Sequence, residues 1–340
     1  MQEILGPHND DASFDRYLAN WRDIHDRRTS QAIDAIVAIP GVRGLILAGS
    51  TGLGQPWPLS GIDLIPIYDD DLMDTARDTV EQARKALLDE WSTQGWRTGV
   101  DIGRLRFGRR EVKTAFAKPD PDPIPLLTDD RWYYTMDKAW GGRAVHDPSG
   151  HAAQLAAWFT QHRFDPEVAK YRLDRTASSA IGLLDSVHDH LGQNAIINAY
   201  AALLKAIQWH QIHLMELWGQ RDNSLGRFGT RFEQTAAAQD LPDLSDALNT
   251  LSGLDPQSIA DRMAQAPAWV HERADRSWKA RRAVNEDVLT VQNDRDVLRV
   301  CAMYELRVLD PADRPPWLAI PSLHDLATRA RTLRRLINEG

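Results

Sequence analysis

From Asp11 to about Ile36, apolar residues return at helical intervals through Phe14, Leu18, Trp21, Ile24, Ile33 and Ile36, with Asp11 or Ser13 available as a cap. That spacing predicts one long first helix. Pro40-Gly41 ends it, and VRGLILAG is too short and too continuously apolar for anything but a buried strand, so Ser50 stands just past a strand end. A Gly- and Pro-rich turn, TGLGQPWPLSG, leads to IDLIPIY, a second strand in which Ile62 and Leu64 point one way and Asp63 the other. Pro66 has no N–H to give to a ladder, which predicts a sheet edge or a bulge near the strand's end. Leu72 to Trp96 again has helical period, and RTGVDIGRLRFG reads as a third strand with Asp101 on the face opposite Val100 and Ile102. After the proline-rich KPDPDPIP, the segment DDRWYYTMDKAWGGRAVHDPSG reads as the closing edge of a first domain, its Gly-Gly and Asp-Pro steps predicting turns rather than core.

Beyond Gly150 nearly every stretch has the period of a helix: about 152–163, 166–191, 194–219 and 225–238, several shorter ones, a long one near 285–307, and a last from Ser322 to about Ile337. Ser322 with Asp325 resembles a capping box at the start of that last helix. The predicted fold is therefore α+β: a small mixed sheet with flanking helices over residues 1–150, followed by an all-helical bundle over 151–340.

Composition changes this picture mainly by exclusion. The 340 residues carry a formal net charge of −8, which argues against polymeric nucleic acid as a partner while leaving room for a local basic pocket. One cysteine, Cys301 in VLRVCAMYEL, rules out an internal disulfide and a Cys-rich zinc module; it reads as helix core and fits a reducing compartment. The opening MQEILGPHNDDASF lacks a basic, apolar leader, and no window reaches the roughly 18 apolar residues of a membrane span. The expectation is a cytoplasmic protein, a monomer or homodimer, with no membrane association.

The candidate chemistry gathers around two carboxylates. Asp63 and Asp101 each alternate with buried aliphatics on a short strand, so each can stand on the exposed face of a small sheet. Gly49-Ser50 at a strand end offers a hydroxyl and backbone N–H groups to a phosphate. Hard oxygen ligands of this kind select Mg²⁺ or Mn²⁺, which bridge a triphosphate. Two ordinary strand-end aspartates are the alternative reading of the same spacing.

Gly49-Ser50, ten residues, then Gly61-Ile62-Asp63-Leu64, followed by an Asp in GVDIG, resembles the nucleotidyltransferase superfamily that includes the aminoglycoside and lincosamide nucleotidyltransferases. The motif covers roughly residues 40–103, and the helical tail is similar more loosely, through LLKAIQWHQIHLMELWGQRDNSLGRFGTRFEQ. The resemblance implies transfer of a nucleoside monophosphate from an NTP, with ATP the expected nucleotide, to a small-molecule hydroxyl, with Mg²⁺ (or Mn²⁺) and release of pyrophosphate. Carried over by residue, Gly49 and Ser50 would hold phosphate, Asp63 would hold metal, and Asp101 would hold metal or take the acceptor's proton. The family's first metal-binding Asp is replaced here by Gly61, and the loop TGLGQPWPL lacks the basic residue many members carry after Gly-Ser. Loss of a ligand carboxylate should cost more than the 10–100-fold typical of outer-sphere changes. Ser60 or a water could take the vacant position, and Arg104, Arg106, Arg109 or Arg110, or Arg227 with Arg231 from the tail, would have to meet the phosphate charge. Gly61 keeps a second outcome open: a repurposed fold that binds a nucleotide or metabolite, or acts differently on a natural-product-type molecule.

Other candidates are weaker. His210 and His213 lie three apart on a helix with no third ligand at helical spacing, and read as core or substrate wall. His188 and His190 diverge on a helix, so at most one of them faces the head domain. Trp57, Trp132 and Trp209 could wall a cleft for a flat small molecule.

Overall fold

A computed structural model describes residues 11–118, 120–220, 224–310 and 313–339. The chain forms two compact units, residues 1–168 with 283–285, and residues 169–282 with 286–340. The first runs α1 (Asp11–Ala19), α2 (Trp21–Val37), β1 (Val42–Ala48), α3 (Gly49–Gly52), β2 (Ile62–Tyr68), α4 (Met73–Thr93), β3 (Val100–Ile102), β4 (Phe107–Gly108), α5 (Arg109–Ala115), α6 (Pro123–Leu127), α7 (Asp130–Ala139), β5 (Arg143–His146) and α8 (His151–His162). The second begins within α9 (Pro166–Gly192) and continues through α10 (Ile196–Leu217), α11 (Phe228–Ala238), α12 (Pro242–Ser252), α13 (Pro256–Ala264), α14 (Ala268–Arg282), α15 (Thr290–Val308) and α16 (Leu323–Glu339).

The sheet is small and mixed, in the order β3-β2-β1-β5, with β4 also on β2. β1 is antiparallel to β2 and β5, whereas β3 and β4 are parallel to β2. One face is apolar: Leu45, Leu47, Ile62 and Leu64 pack with Ala32 and Ile36 of α2 and with Val80 and Trp91 of α4. The other face is covered from the chain's later part, where Gly44 lies close enough to Ala152 of α8 and to Ile67 that a Cβ would touch both. Helices thus cover both sides, and α8 belongs with the sheet, so the first unit extends beyond Gly150.

Of the two expectations for Pro66, an irregular ladder near the strand's end is found, since the β1–β2 register shifts between Val42 and Gly44 opposite Tyr68 and Ile67, whereas an edge position is not. β2 is central, between β1 and the β3/β4 edge, rather than at the margin. The Ile62 N–H donates to Gly99 O at 2.8 Å on the β3 side, so by alternation positions 64, 66 and 68 direct their N–H groups to the same side. Along that side β3 ends opposite Leu64 and β4 begins opposite Ile67. Pro66 therefore falls where the ladder is interrupted and no donor is required. The third strand predicted from RTGVDIGRLRFG is accordingly two short strands.

Two further expectations are corrected. The first helix is broken at Asn20 (φ −135°, ψ 27°) into α1 and α2; asparagine competes with helix through its own side chain. The segment around Trp132 is core rather than a set of turns: Asp129 accepts from the Arg131 N–H at 2.7 Å as a cap, and Trp132, Tyr133 and Met136 are buried on the helix α7 that follows. Gly-Gly then turns the chain into β5, which pairs with β1.

In the second unit the expected helices appear within a few residues of their predicted ends. Leu203, Phe232, Leu248, Leu298 and Leu333 share one core. Cys301 is buried in it, and burial pushes its thiol up to about 11. Ser322 caps α16 by accepting from the Asp325 N–H at 3.1 Å while its hydroxyl donates to Asp325 Oδ2 at 2.7 Å. No helix among the described residues is long and apolar enough to cross a membrane.

Candidate functional site

β1 ends in a tight turn because Gly49 takes φ +61°, a conformation open to glycine, and because a Cβ there would collide with the Asp63 carboxylate. The turn is tied down at three points. Ser50 Oγ and Ser60 Oγ share a hydrogen bond of 2.9 Å, Ser60 Oγ accepts from the Trp57 N–H at 3.0 Å, and Gln55 N–H donates to Ser50 O at 2.8 Å. Buried Thr51 lies 3.4 Å from both Gly61 O and His25 Nε2. Burial lowers the His25 pKa, which favours its neutral form. Ser60 is thus committed to the turn and is not poised as a metal ligand.

Asp63 and Asp101 are paired in register across the parallel strands β2 and β3, which puts both side chains on one face of the sheet. Between them lies a residue the sequence reading passed over. The Lys138 ammonium, from the last turn of α7, donates to Asp63 Oδ1 at 2.5 Å and stands 3.5 Å from Asp101 Oδ2. The Asp63 side chain is 17% exposed and the Asp101 side chain 63% exposed, so one carboxylate is walled in while the other is open to solvent. Burial pushes the Asp63 carboxyl above its ordinary range, against the pull of Lys138. Burial also works against the charged form of Lys138, yet Asp63 and then Asp101 hold its pKa above the ordinary lysine value. At neutral pH the ammonium is charged.

Mg²⁺, implied by the resemblance, does not fit this arrangement. Among the described residues no group of three or more His, Cys, Asp or Glu side chains could hold a metal ion. The position between the two carboxylates, where a divalent ion would need oxygens at about 2.1 Å, is taken by the Lys138 ammonium. Gly61 contributes no ligand, and a Cβ there would press on the Gly99 carbonyl, with its oxygen at 3.3 Å.

The arginines divide. Arg109 and Arg110 face Asp69, Asp70 and Asp71, and Arg106 donates to Gly103 O at 2.7 Å. Arg104 is exposed on the loop after β3, with its guanidinium over the Tyr134 ring at 5.8 Å, one helical turn before Lys138. Of the predicted phosphate ligands, it is the one in contact with the helix that carries Lys138. Arg227 lies in the second unit and donates to Glu286 Oε2 at 3.0 Å and to Ser224 Oγ at 3.2 Å. Trp57 and Trp132 are buried, the latter donating through Nε1 to Glu111 at 3.0 Å.

The two histidines His210 and His213 of the second unit pack against one another. His210 is buried with its ring stacked near that of His213, and burial lowers its pKa to about 4. His213 Nδ1 is within hydrogen-bond distance of Thr176 Oγ1 and Leu173 O.

Lys138 had a signal in the sequence: Asp129 as a cap followed by apolar Trp132, Tyr133, Met136 and Ala139 at helical spacing. Recognising that helix would have placed the lysine on it, but not over the sheet. In comparisons with known proteins, no family model matches the chain and no curated protein matches it.

Proposed function

We propose that the first unit is a nucleotidyl-transfer site, which holds the triphosphate of an NTP at the Gly49–Ser50 turn and passes the nucleoside monophosphate to a hydroxyl of a small molecule. One observation carries this reading. Asp63 and Asp101, 38 positions apart in the chain, stand in register on one sheet face, and Asp63 lies against Gly49. A left-handed glycine followed by helical residues turns successive N–H groups to one side, which suits phosphate oxygens, and the Ser50 hydroxyl adds a donor. Arg104 and Lys138 supply positive charge.

In the proposed reaction the acceptor oxygen bonds to the α-phosphorus while the bond to the bridging β-oxygen breaks. The electron pair of that bond leaves with pyrophosphate, and the hydroxyl proton passes to Asp101, the more exposed carboxylate. A second reading, a site that binds nucleotide without transferring it, is favoured by Gly61 and by the ammonium already sitting on Asp63.

Titration calorimetry with ATP, GTP and CTP, followed by pyrophosphate release with a panel of hydroxylated small molecules, tests the reading. Ser50→Ala and Arg104→Ala should each weaken nucleotide binding several-fold. Asp101→Asn should leave binding within about twofold and abolish release. Nucleotide binding without release by the wild type selects the second reading; no binding of any NTP rejects both.

A further inference from the structure

We infer that Lys138 is the resident cation of the Asp63–Asp101 pair, taking the place a divalent metal ion would otherwise occupy, so that the site works on its ligand without a bound metal. The inference rests on the reading of this site as one for a phosphorylated substrate, but its geometry is independent of which substrate that is.

Three observations converge. The ammonium contacts both carboxylates, at 2.5 Å and 3.5 Å, and so bridges the strands that a shared ion would bridge. The residue that would complete an oxygen cage, at position 61, is glycine, and its neighbour Ser60 is spent on Ser50 and the Trp57 N–H. The lysine is fixed from behind by its helix: α7 is capped by Asp129 and anchored by buried Trp132, Tyr133 and Met136, so the ammonium is delivered by the fold. A divalent ion and an ammonium cannot share the space between two carboxylates, since the ion requires oxygens at about 2.1 Å on several sides. The protein therefore carries one positive charge where a metal would bring two. It also gives donor N–H groups where a metal would offer open coordination positions, which orient phosphate oxygens by hydrogen bonds.

The arrangement makes a measurement possible without nucleotide. Mn²⁺ alone is titrated into the full-length protein, and bound ion is read by electron paramagnetic resonance. The wild type should bind no Mn²⁺ at this site up to millimolar concentration. Lys138→Gln should gain one equivalent at least tenfold more tightly than the wild type, and adding Asp63→Asn should remove it. Lys138→Arg, which keeps the charge, should stay as silent as the wild type.

One equivalent bound by the wild type as tightly as by Lys138→Gln, and lost in Asp63→Asn, would overturn the proposal. So would silence of a folded Lys138→Gln, because the pair would then be no cation seat. If Lys138→Gln does not fold, the comparison of wild type, Lys138→Arg and Asp63→Asn decides alone: Asp63-dependent Mn²⁺ in the first two rejects the proposal, and its absence supports it. Failure of ATP to bind any of these proteins would reject the nucleotide reading and leave the Mn²⁺ result standing.

Discussion

Two glycines in the site differ in how much they tolerate. Gly49→Ala would force a Cβ into the Asp63 carboxylate from a left-handed backbone, and should cost about 1–3 kcal/mol in urea unfolding. Gly61→Asp has no unusual φ, but its Cβ would stand 3.3 Å from the Gly99 carbonyl that accepts from the Ile62 N–H, so that backbone oxygen must give a little and the variant should cost about 1 kcal/mol while adding a carboxylate two positions before Asp63. Buried histidines give the same kind of contrast in pH. His210 is held near 4, below its ordinary 6.5, so the unfolded chain binds the proton first. Its share of stability is present above pH 6.5 and lost as pH falls towards 4, by up to roughly 3 kcal/mol. His162 runs the other way. Although burial alone would lower its pKa, Asp165 at 2.5 Å and Asp120 at 2.7 Å raise it. Its contribution is full below pH 6.5 and fades as pH climbs through the raised value. Urea midpoints of wild type, His210→Gln and His162→Gln between pH 4.5 and 8.5 should show the acid limb flattened in the first variant and the alkaline limb flattened in the second.

At the scale of elements, what was legible depended on whether one face of the element meets one environment. β1 and β2 were legible because continuous apolar runs bounded by Pro-Gly and Gly-rich turns have few other solutions, and the alternation of Ile62, Asp63 and Leu64 fixed which side the carboxylate takes. α7 was missed because aromatic residues next to Gly-Gly and Asp-Pro steps resemble loop composition, although its cap and its apolar spacing were both present. The break at Asn20 was hidden because Leu18 and Trp21 keep helical spacing across it. The carboxylates were legible as a pair, whereas the lysine between them was not, since its position depends on how α7 lies over the sheet. That dependence predicts an effect at a distance: Asp129→Ala removes the cap of α7, should cost about 1 kcal/mol, and should loosen Lys138 as well. Nitrogen-15 relaxation of the Lys138 side chain would then show increased motion, while Asp122→Ala, the cap of α6, should leave that signal unchanged.

Across the whole molecule buried charge is held in two ways, shown by the Asp63–Lys138–Asp101 cluster of the first unit and by the core of the second. In the first, the buried charge at the site faces a partly exposed carboxylate and stays within reach of water. In the second it is sealed. Asp296, with no exposed surface, accepts from Gly229 N–H at 2.7 Å, Thr230 Oγ1 at 2.7 Å and the fully buried Arg281 at 2.5 Å, while Arg172 and Glu216 form another buried pair at 2.7 Å. Removing one partner strands the other in a medium that solvates it poorly, so Asp296→Ala should cost about 3–5 kcal/mol in urea unfolding. None of these long-range pairings could be read from spacing, because Asp296 and Thr230 are 66 residues apart. The long helices of the second unit were legible from period alone, and the charges that hold them in register were not.

The interruption beside Pro66 has its own outcome. Between β3 and β4 the chain leaves the sheet as a short hem, pinned by the Arg106 bond to Gly103 O, and that hem carries Arg104 out over Tyr134. An unbroken strand from 100 to 108 would demand an amide proton that proline lacks and would draw the arginine back into the pleat. A ring on the central strand therefore keeps the neighbouring edge unzipped, and a guanidinium escapes through the opening.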